Sequence, residues 1–188
     1  MPESTSSSSL PRAAAFHFEA VPGKGCLRLR SWLPEHIAGT QHVTLADEQL
    51  PAQVGDVLPG AGRVLCVGPA HWLLVGPTQA VAELALRLAP QARQQGLALV
   101  DQSDTFITLR LSGSEVREVL AKGCGLDLHP GSFGPGRCTG TRFANIPALI
   151  DCLEESLFEL YVVRSYAHYV QSWLCDAALE FEAAGAAA

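Results

Sequence analysis

Arg63-Val64-Leu65-Cys66-Val67, then Gly68-Pro69-Ala70-His71, then Trp72-Leu73-Leu74-Val75 is the stretch on which the fold turns. Two short apolar runs flank a segment of hairpin chemistry, which predicts paired strands over 63–67 and 72–75. After Pro77, Thr78 can cap a helix. In that helix Val81, Leu84, Ala85 and Leu88 recur at i, i+3, i+4 and i+7, one apolar stripe that should end near Gly96. Leu97–Asp101 and Thr105–Leu111 follow as strands around Gln102-Ser103-Asp104. In the second of them Ile107, Leu109 and Leu111 face one way, and Thr108 and Arg110 the other.

Ser112 with Glu115 has capping-box spacing and opens a helix carrying Val116, Val119 and Leu120 inward to a stop at Gly123. A Gly- and Pro-rich passage, 129–136, leads to strands near 138–144, 147–152 and 158–163. Ser165 begins the strongest helix, with Tyr166, Tyr169, Val170, Trp173, Leu174 and Ala177 on one stripe. Toward the N-terminus, alternation predicts a strand over 26–33. Residues 34–62 read as loop-rich, with a short strand around Val43 and Leu45. The order is ββαββα and then βββα. It predicts an α+β fold, antiparallel sheets with packed helices in ferredoxin-like units. Residues 1–18 are expected to be a flexible Ser-rich tail, 19–181 a single compact domain of two sub-lobes, and 182–188 a frayed Ala-rich end.

The 188 residues are 48% hydrophobic and 17% charged, enough apolar content for a core without disulfides or metal. A net charge of −6 with no Lys/Arg cluster removes the phosphate-neutralising surface that nucleic-acid binding needs, and a polybasic membrane patch with it. The six cysteines are widely spaced and no apolar leader is apparent, so free thiols and a cytoplasmic location are expected.

Tests for chemistry return little. Gly60-Ala61-Gly62 leads into a strand, Gly123-Cys124-Gly125 closes a helix and Pro135 removes a donor from Gly134-Pro135-Gly136, so none makes a dinucleotide loop. Cys124, His129, Cys138 and Cys152 lack the short-spaced pairs of a zinc site. Cys124 with His129 could form a nucleophile pair, but packed thiols account for such cysteines better. His36, His42, His71 and His168 read as surface or loop residues. Asp101 with Asp104, and Glu154 with Glu155, flank turns, where solvated carboxylates are common. The Tyr/Trp stripe of the last helix is expected to pack on the sheet. No catalytic, cofactor-binding or metal-binding residue is assigned.

Leu120-Ala121-Lys122-Gly123-Cys124, Leu126-Asp127-Leu128-His129-Pro130, Gly136-Arg137-Cys138 with Thr141-Arg142, and Glu159-Leu160-Tyr161-Val162 with Arg164-Ser165-Tyr166-Ala167 and Trp173-Leu174 form an ordered set. With Gly68-Pro69 and Trp72-Leu73-Leu74-Val75 it resembles the sarcosine oxidase gamma subunit family over roughly residues 60–181. The resemblance implies a non-catalytic subunit of a heterotetrameric enzyme that demethylates sarcosine to glycine, passes the methyl carbon to tetrahydrofolate and forms hydrogen peroxide. Its partners would be the alpha, beta and delta subunits. FAD, FMN, NAD, tetrahydrofolate and zinc would belong to those subunits and not to this chain. The fold implied resembles the folate-binding domain of the glycine cleavage T-protein. In that protein an acid on a hairpin acts on the folate-bound carbon. The comparable hairpin here, Phe143-Ala144-Asn145-Ile146-Pro147, has none at its tip. A stand-alone folate-binding protein or aminomethyltransferase-like enzyme is the alternative.

Overall fold

A computed structural model describes residues 15–39, 41–45, 48–60 and 62–186; most of the expected N-terminal tail lies outside these. In chain order the elements are β1 (His17–Ala20), β2 (Lys24–Ser31), α1 (Pro34–Ile37), β3 (Thr44–Leu45), β4 (Glu48–Gln49), β5 (Val57–Leu58), β6 (Arg63–Gly68), β7 (His71–Pro77), α2 (Thr78–Gln94) and β8 (Leu97–Asp101). Then come β9 (Phe106–Ser112), α3 (Val116–Gly123), β10 (Cys138–Phe143), β11 (Ile146–Glu154), β12 (Leu157–Val163), a 3-10 turn (Arg164–Tyr166) and α4 (Ala167–Ala186). The expected α+β class holds. The final helix continues past Phe181, where fraying was expected, and β1 starts inside the stretch expected to be a tail.

Two antiparallel five-stranded sheets result, ordered β5-β6-β7-β2-β8 and β1-β9-β12-β11-β10. In the first, β7 and β8 flank β2 and both run antiparallel to it, so they are parallel to each other and joined through α2. That is the split βαβ unit of a ferredoxin-like lobe.

Period-2 alternation sorts each strand's residues to two faces. On one sheet Leu27, Leu29, Val64, Trp72 and Leu74 pack beneath α2 through Val81, Leu88 and Ala92. On the other, Leu109, Leu111, Ile150, Phe158, Leu160 and Val162 pack beneath α3 and α4 through Val119, Leu120, Val170 and Leu174. The remaining faces meet each other through Cys26, Leu65, Leu73, Val75, Cys138, Leu149 and Tyr161. The layers are therefore helix, sheet, sheet, helix.

Two expected caps do not form. Thr78 is the first helical residue instead of the cap, and its N–H donates to Gly23 O at 2.8 Å, so the residue just before β2 supplies the acceptor. Ser112 is drawn into β9, paired with both His17 and Leu157, and is lost to any capping box. Glu115 stands at the cap position without a side-chain bond, its N–H donating to Ala15 O at 2.8 Å. In both places a sheet contact replaces the local one.

At the other end of α3, Gly123 lies against the ring of Phe143. A Cβ on Gly123 would stand 2.4 Å from Phe143 Cε2. That ring is fully buried and meets Trp173 edge-on at 4.9 Å, so it has nowhere to turn. Gly123→Ala should cost about 1–3 kcal/mol by overpacking. Urea denaturation measures it, and an unchanged midpoint would mean that the ring has room to yield.

Candidate functional site

The chemistry-bearing groups gather between the sheets. Asp151 on β11 and Glu159 on β12 are cross-strand partners whose side chains face the other sheet, both fully buried. Arg63, on β6, holds Asp151 with a bidentate fork, Nε to Oδ2 and a terminal nitrogen to Oδ1, each at 2.8 Å. Lys24, on β2, bonds Glu159 Oε1 at 2.8 Å. Arg110 donates to the same oxygen at 3.0 Å and the Tyr161 hydroxyl to Oε2 at 2.5 Å. Two ion pairs thus cross from one sheet to the other. Arg137 with Asp56 adds another link at the margin, where Cys138 N–H donates to Gly55 O at 2.8 Å.

The two carboxyls are tuned in opposite directions. Burial pushes Asp151 up, and Arg63 offsets that only in part. Burial works the same way on Glu159, but the bonds from Lys24, Tyr161 and Arg110 outweigh it and hold the carboxyl below its usual 4.5. A depressed carboxyl contributes stability that is present above the unfolded value and is lost as pH falls through the folded one. Thermal melts between pH 6 and 3 should therefore decline less steeply for Glu159→Gln than for the wild type. Parallel declines would mean that Glu159 does not contribute to the acid limb.

The neighbourhood of the hairpin 143–147 is structural. Ala144 and Asn145 take positive φ, 47° and 67°, as the central pair of a two-residue turn. Ala144 O accepts from the Tyr169 hydroxyl at 2.8 Å, and Ala144 N–H donates to Gly123 O at 2.8 Å. The tip is tied down on both sides and carries no acid.

The sequence-derived candidates do not converge. Cys138 lies between the sheets and Cys152 in the helix-side core, where Arg117 approaches its sulfur. Cys124 Sγ donates to Leu120 O at 3.3 Å, while His129 is exposed and its Nδ1 accepts from Gly131 N–H at 3.1 Å. Among the described residues no three His, Cys, Asp or Glu side chains are placed to hold a metal ion. Burial pushes the Cys26 thiol up to about 11 and that of Cys138 to about 12, and it also raises Cys66, Cys124 and Cys152. Asp101 accepts from Ser103 N–H and Oγ in an exposed turn, which lowers its carboxyl. Glu154 and Glu155 are exposed.

Two histidines differ from expectation. His36 is buried and its Nδ1 meets Ser31 Oγ at 2.8 Å, because α1 folds it back over the end of β2. His71 is half-buried, facing Arg28 and Arg30, and burial with those charges lowers its imidazole. On α4, Val170 and Leu174 are fully buried and Trp173 packs on the core, whereas Tyr169, and Tyr166 in the 3-10 turn before the helix, stay exposed. The buried pair Asp151 and Glu159 was missed altogether. A carboxylate inside each of the apolar runs 146–152 and 157–163 was the available signal.

Comparisons with known proteins agree with this picture. The model of the sarcosine oxidase, gamma subunit family matches residues 34–180. The sarcosine oxidase subunit gamma of an Arthrobacter species is 32% identical, the match covering 93% of this chain and 93% of the relative. That of Corynebacterium sp. (strain U-96) is 34% identical over 92% and 89%. Among solved structures, a chain of the heterotetrameric sarcosine oxidase from Corynebacterium sp. U-96, in complex with pyrrole 2-carboxylate, superposes with a TM-score of 0.76 at 30% identity, over 89% of this chain and 86% of that one. The glycine cleavage system aminomethyltransferase T from Bartonella henselae shares the fold, with a TM-score of 0.61 at 13% identity, over 86% of this chain and 45% of that one.

Proposed function

The chain belongs to the sarcosine oxidase gamma subunit family, and from that premise we propose that it is a non-catalytic assembly subunit of a heterotetrameric sarcosine oxidase. The complex oxidatively demethylates sarcosine to glycine, transfers the methyl carbon to tetrahydrofolate and releases hydrogen peroxide. Alpha, beta and delta subunits are the partners, and they carry FAD, FMN, NAD, tetrahydrofolate and zinc.

The supporting observation is the end-to-end likeness to gamma subunits in a chain whose buried ionisable groups are largely engaged in joining its own sheets. Arg63, Lys24, Asp151 and Glu159 form internal pairs. A pair committed in this way is a poor acid–base catalyst, since each proton site already has its partner. The fold here acts as a scaffold. No helix among the described residues is long and apolar enough to cross a membrane. Purification of the tagged chain from its native host tests the proposal. The expected product is a yellow complex with three further chains and sarcosine-dependent peroxide formation; a colourless single chain would overturn it.

Two surfaces offer exposed large apolar side chains for assembly. One is α4 with the 3-10 turn before it, through Leu179 and Tyr166; the other lies around 32–54 with Trp32, Ile37 and Val54. Such residues are the usual anchors of a buried interface. Tyr166→Glu with Leu179→Glu, and separately Trp32→Glu with Val54→Glu, should leave the melting temperature of the chain near wild type. At least one pair should weaken co-purification of the complex by about 30-fold. Full assembly of both would place the contacts elsewhere.

A further inference from the structure

The face of β2 turned toward the second sheet presents Lys24, Cys26, Arg28 and Arg30 in succession. Lys24 meets Glu159, and Cys26 lies in the packed middle of the inter-sheet layer. Beyond Cys26 the sheets part around a cleft of about 240 Å³. Its walls are Leu73, Phe106, Leu149 and Tyr161, with Arg28 and His71 at one side and the exposed Gly140 and Pro147 at its rim. No Asp or Glu lines it.

Three inter-sheet cations have acids, Lys24 and Arg110 on Glu159 and Arg63 on Asp151, while the exposed Arg30 lies over the Trp32 ring. The Arg28 guanidinium has no ion pair or hydrogen bond among the described residues, and its Nε is buried without a partner. His71 Nε2 is buried and unpartnered as well. A half-buried cation against apolar walls is costly to leave unmatched, and a carboxylate would match it with a charge-assisted pair.

We propose that this cleft is a binding site for a small monocarboxylate with a compact apolar body, its carboxylate on Arg28 and its body against Leu73, Phe106 and Leu149. One negative charge suffices. His71 is held neutral near pH 7 by burial and by Arg28 and Arg30, leaving Arg28 as the cation of the lining. The volume lies below the roughly 300–1,000 Å³ of pockets that take drug-sized molecules, which sets the ligand class at one or two rings or a short branched chain.

The probe is 2-naphthoate, followed by its fluorescence on titration with the full-length chain and with the complex it co-purifies in; 2-naphthamide is the neutral control. Saturable binding of the carboxylate is expected, about 10-fold tighter than the amide and about 10-fold weakened by Arg28→Gln. Gly140→Ile provides a second variant. Gly140 faces the same way as Cys138 on β10, and a Cβ there meets nothing within 4 Å, so the strand accepts the side chain while the rim closes. Binding should be lost with the melting temperature unchanged. Equal affinity for the amide, or no effect of Arg28→Gln, would reduce the cleft to a non-specific apolar surface and overturn the proposal. Binding by the free chain that vanishes in the complex would show a neighbouring subunit over the cleft, and would overturn it too.

Discussion

Arg63→Met should lose about 3–5 kcal/mol of folding stability, the cost of stranding one member of a buried ion pair. Asp151 is fully buried and takes both its strong donors from that one guanidinium. Without it the carboxylate must either protonate or draw water between the sheets. The pairing partner of Asp151 across the strands is Glu159, a second buried acid, so the unpaired charge would also face a like charge. The double variant Arg63→Met with Asp151→Leu should recover most of the loss, because an apolar pair of similar volume removes the desolvation cost along with the attraction. Urea denaturation of the two variants reads this directly. A single variant that costs under 1 kcal/mol, or a double variant no better than the single, would mean that the pair does not hold the sheets together.

Arg117→Met should cost about 2–4 kcal/mol, and it should loosen the passage between α3 and β10 before the rest of the chain unfolds. Arg117 reaches from α3 to three carbonyls: Leu128 O at 2.5 Å, Phe133 O at 2.9 Å and Glu155 O at 2.9 Å. Its guanidinium also lies 4.8 Å from the centre of the Phe158 ring. Leu128 and Phe133, the two apolar anchors of that passage, are buried in the helix-side core. Removing the fork leaves their carbonyls without this donor and frees the segment to open. Arg117→Lys keeps the charge but cannot span three acceptors in one plane, so it should recover less than half of the loss. Limited proteolysis reports the local effect: cleavage within 124–136 should precede global unfolding in Arg117→Met. Protection equal to the wild type would show that the apolar anchors suffice.

How far the sequence could be read followed the range of the interactions involved. The β6–β7 hairpin and the stripe of α2 were visible because both are local patterns, a change of side-chain period around turn residues. The caps at Thr78 and Ser112 were misread for the opposite reason: Gly23 and His17 arrive from far along the chain and claim the positions that local rules assign. The inter-sheet layer was out of reach. Asp151 lies 88 residues from Arg63, and Glu159 lies 135 from Lys24, so no window on the sequence contains either pair. The irregular passage 129–136 was visible as a loop, but the arginine that organises it lies one element earlier and resembles an ordinary surface residue of a helix. The family resemblance brought in the functional expectation, which the titratable residues alone do not contain.

The depth of the thiols has a chemical consequence. Peroxide oxidises cysteine through its thiolate, so a thiol held near 11 or 12 presents about one reactive molecule in ten thousand or fewer at neutral pH. Cys26 and Cys138 lie at the centre of the inter-sheet layer, where a sulfenic acid would force a polar oxygen into the packing. In the complex proposed above, which releases hydrogen peroxide, these two thiols would be shielded at the site where oxidation would do most harm. Cys175, on the last helix, is the cysteine that stands exposed.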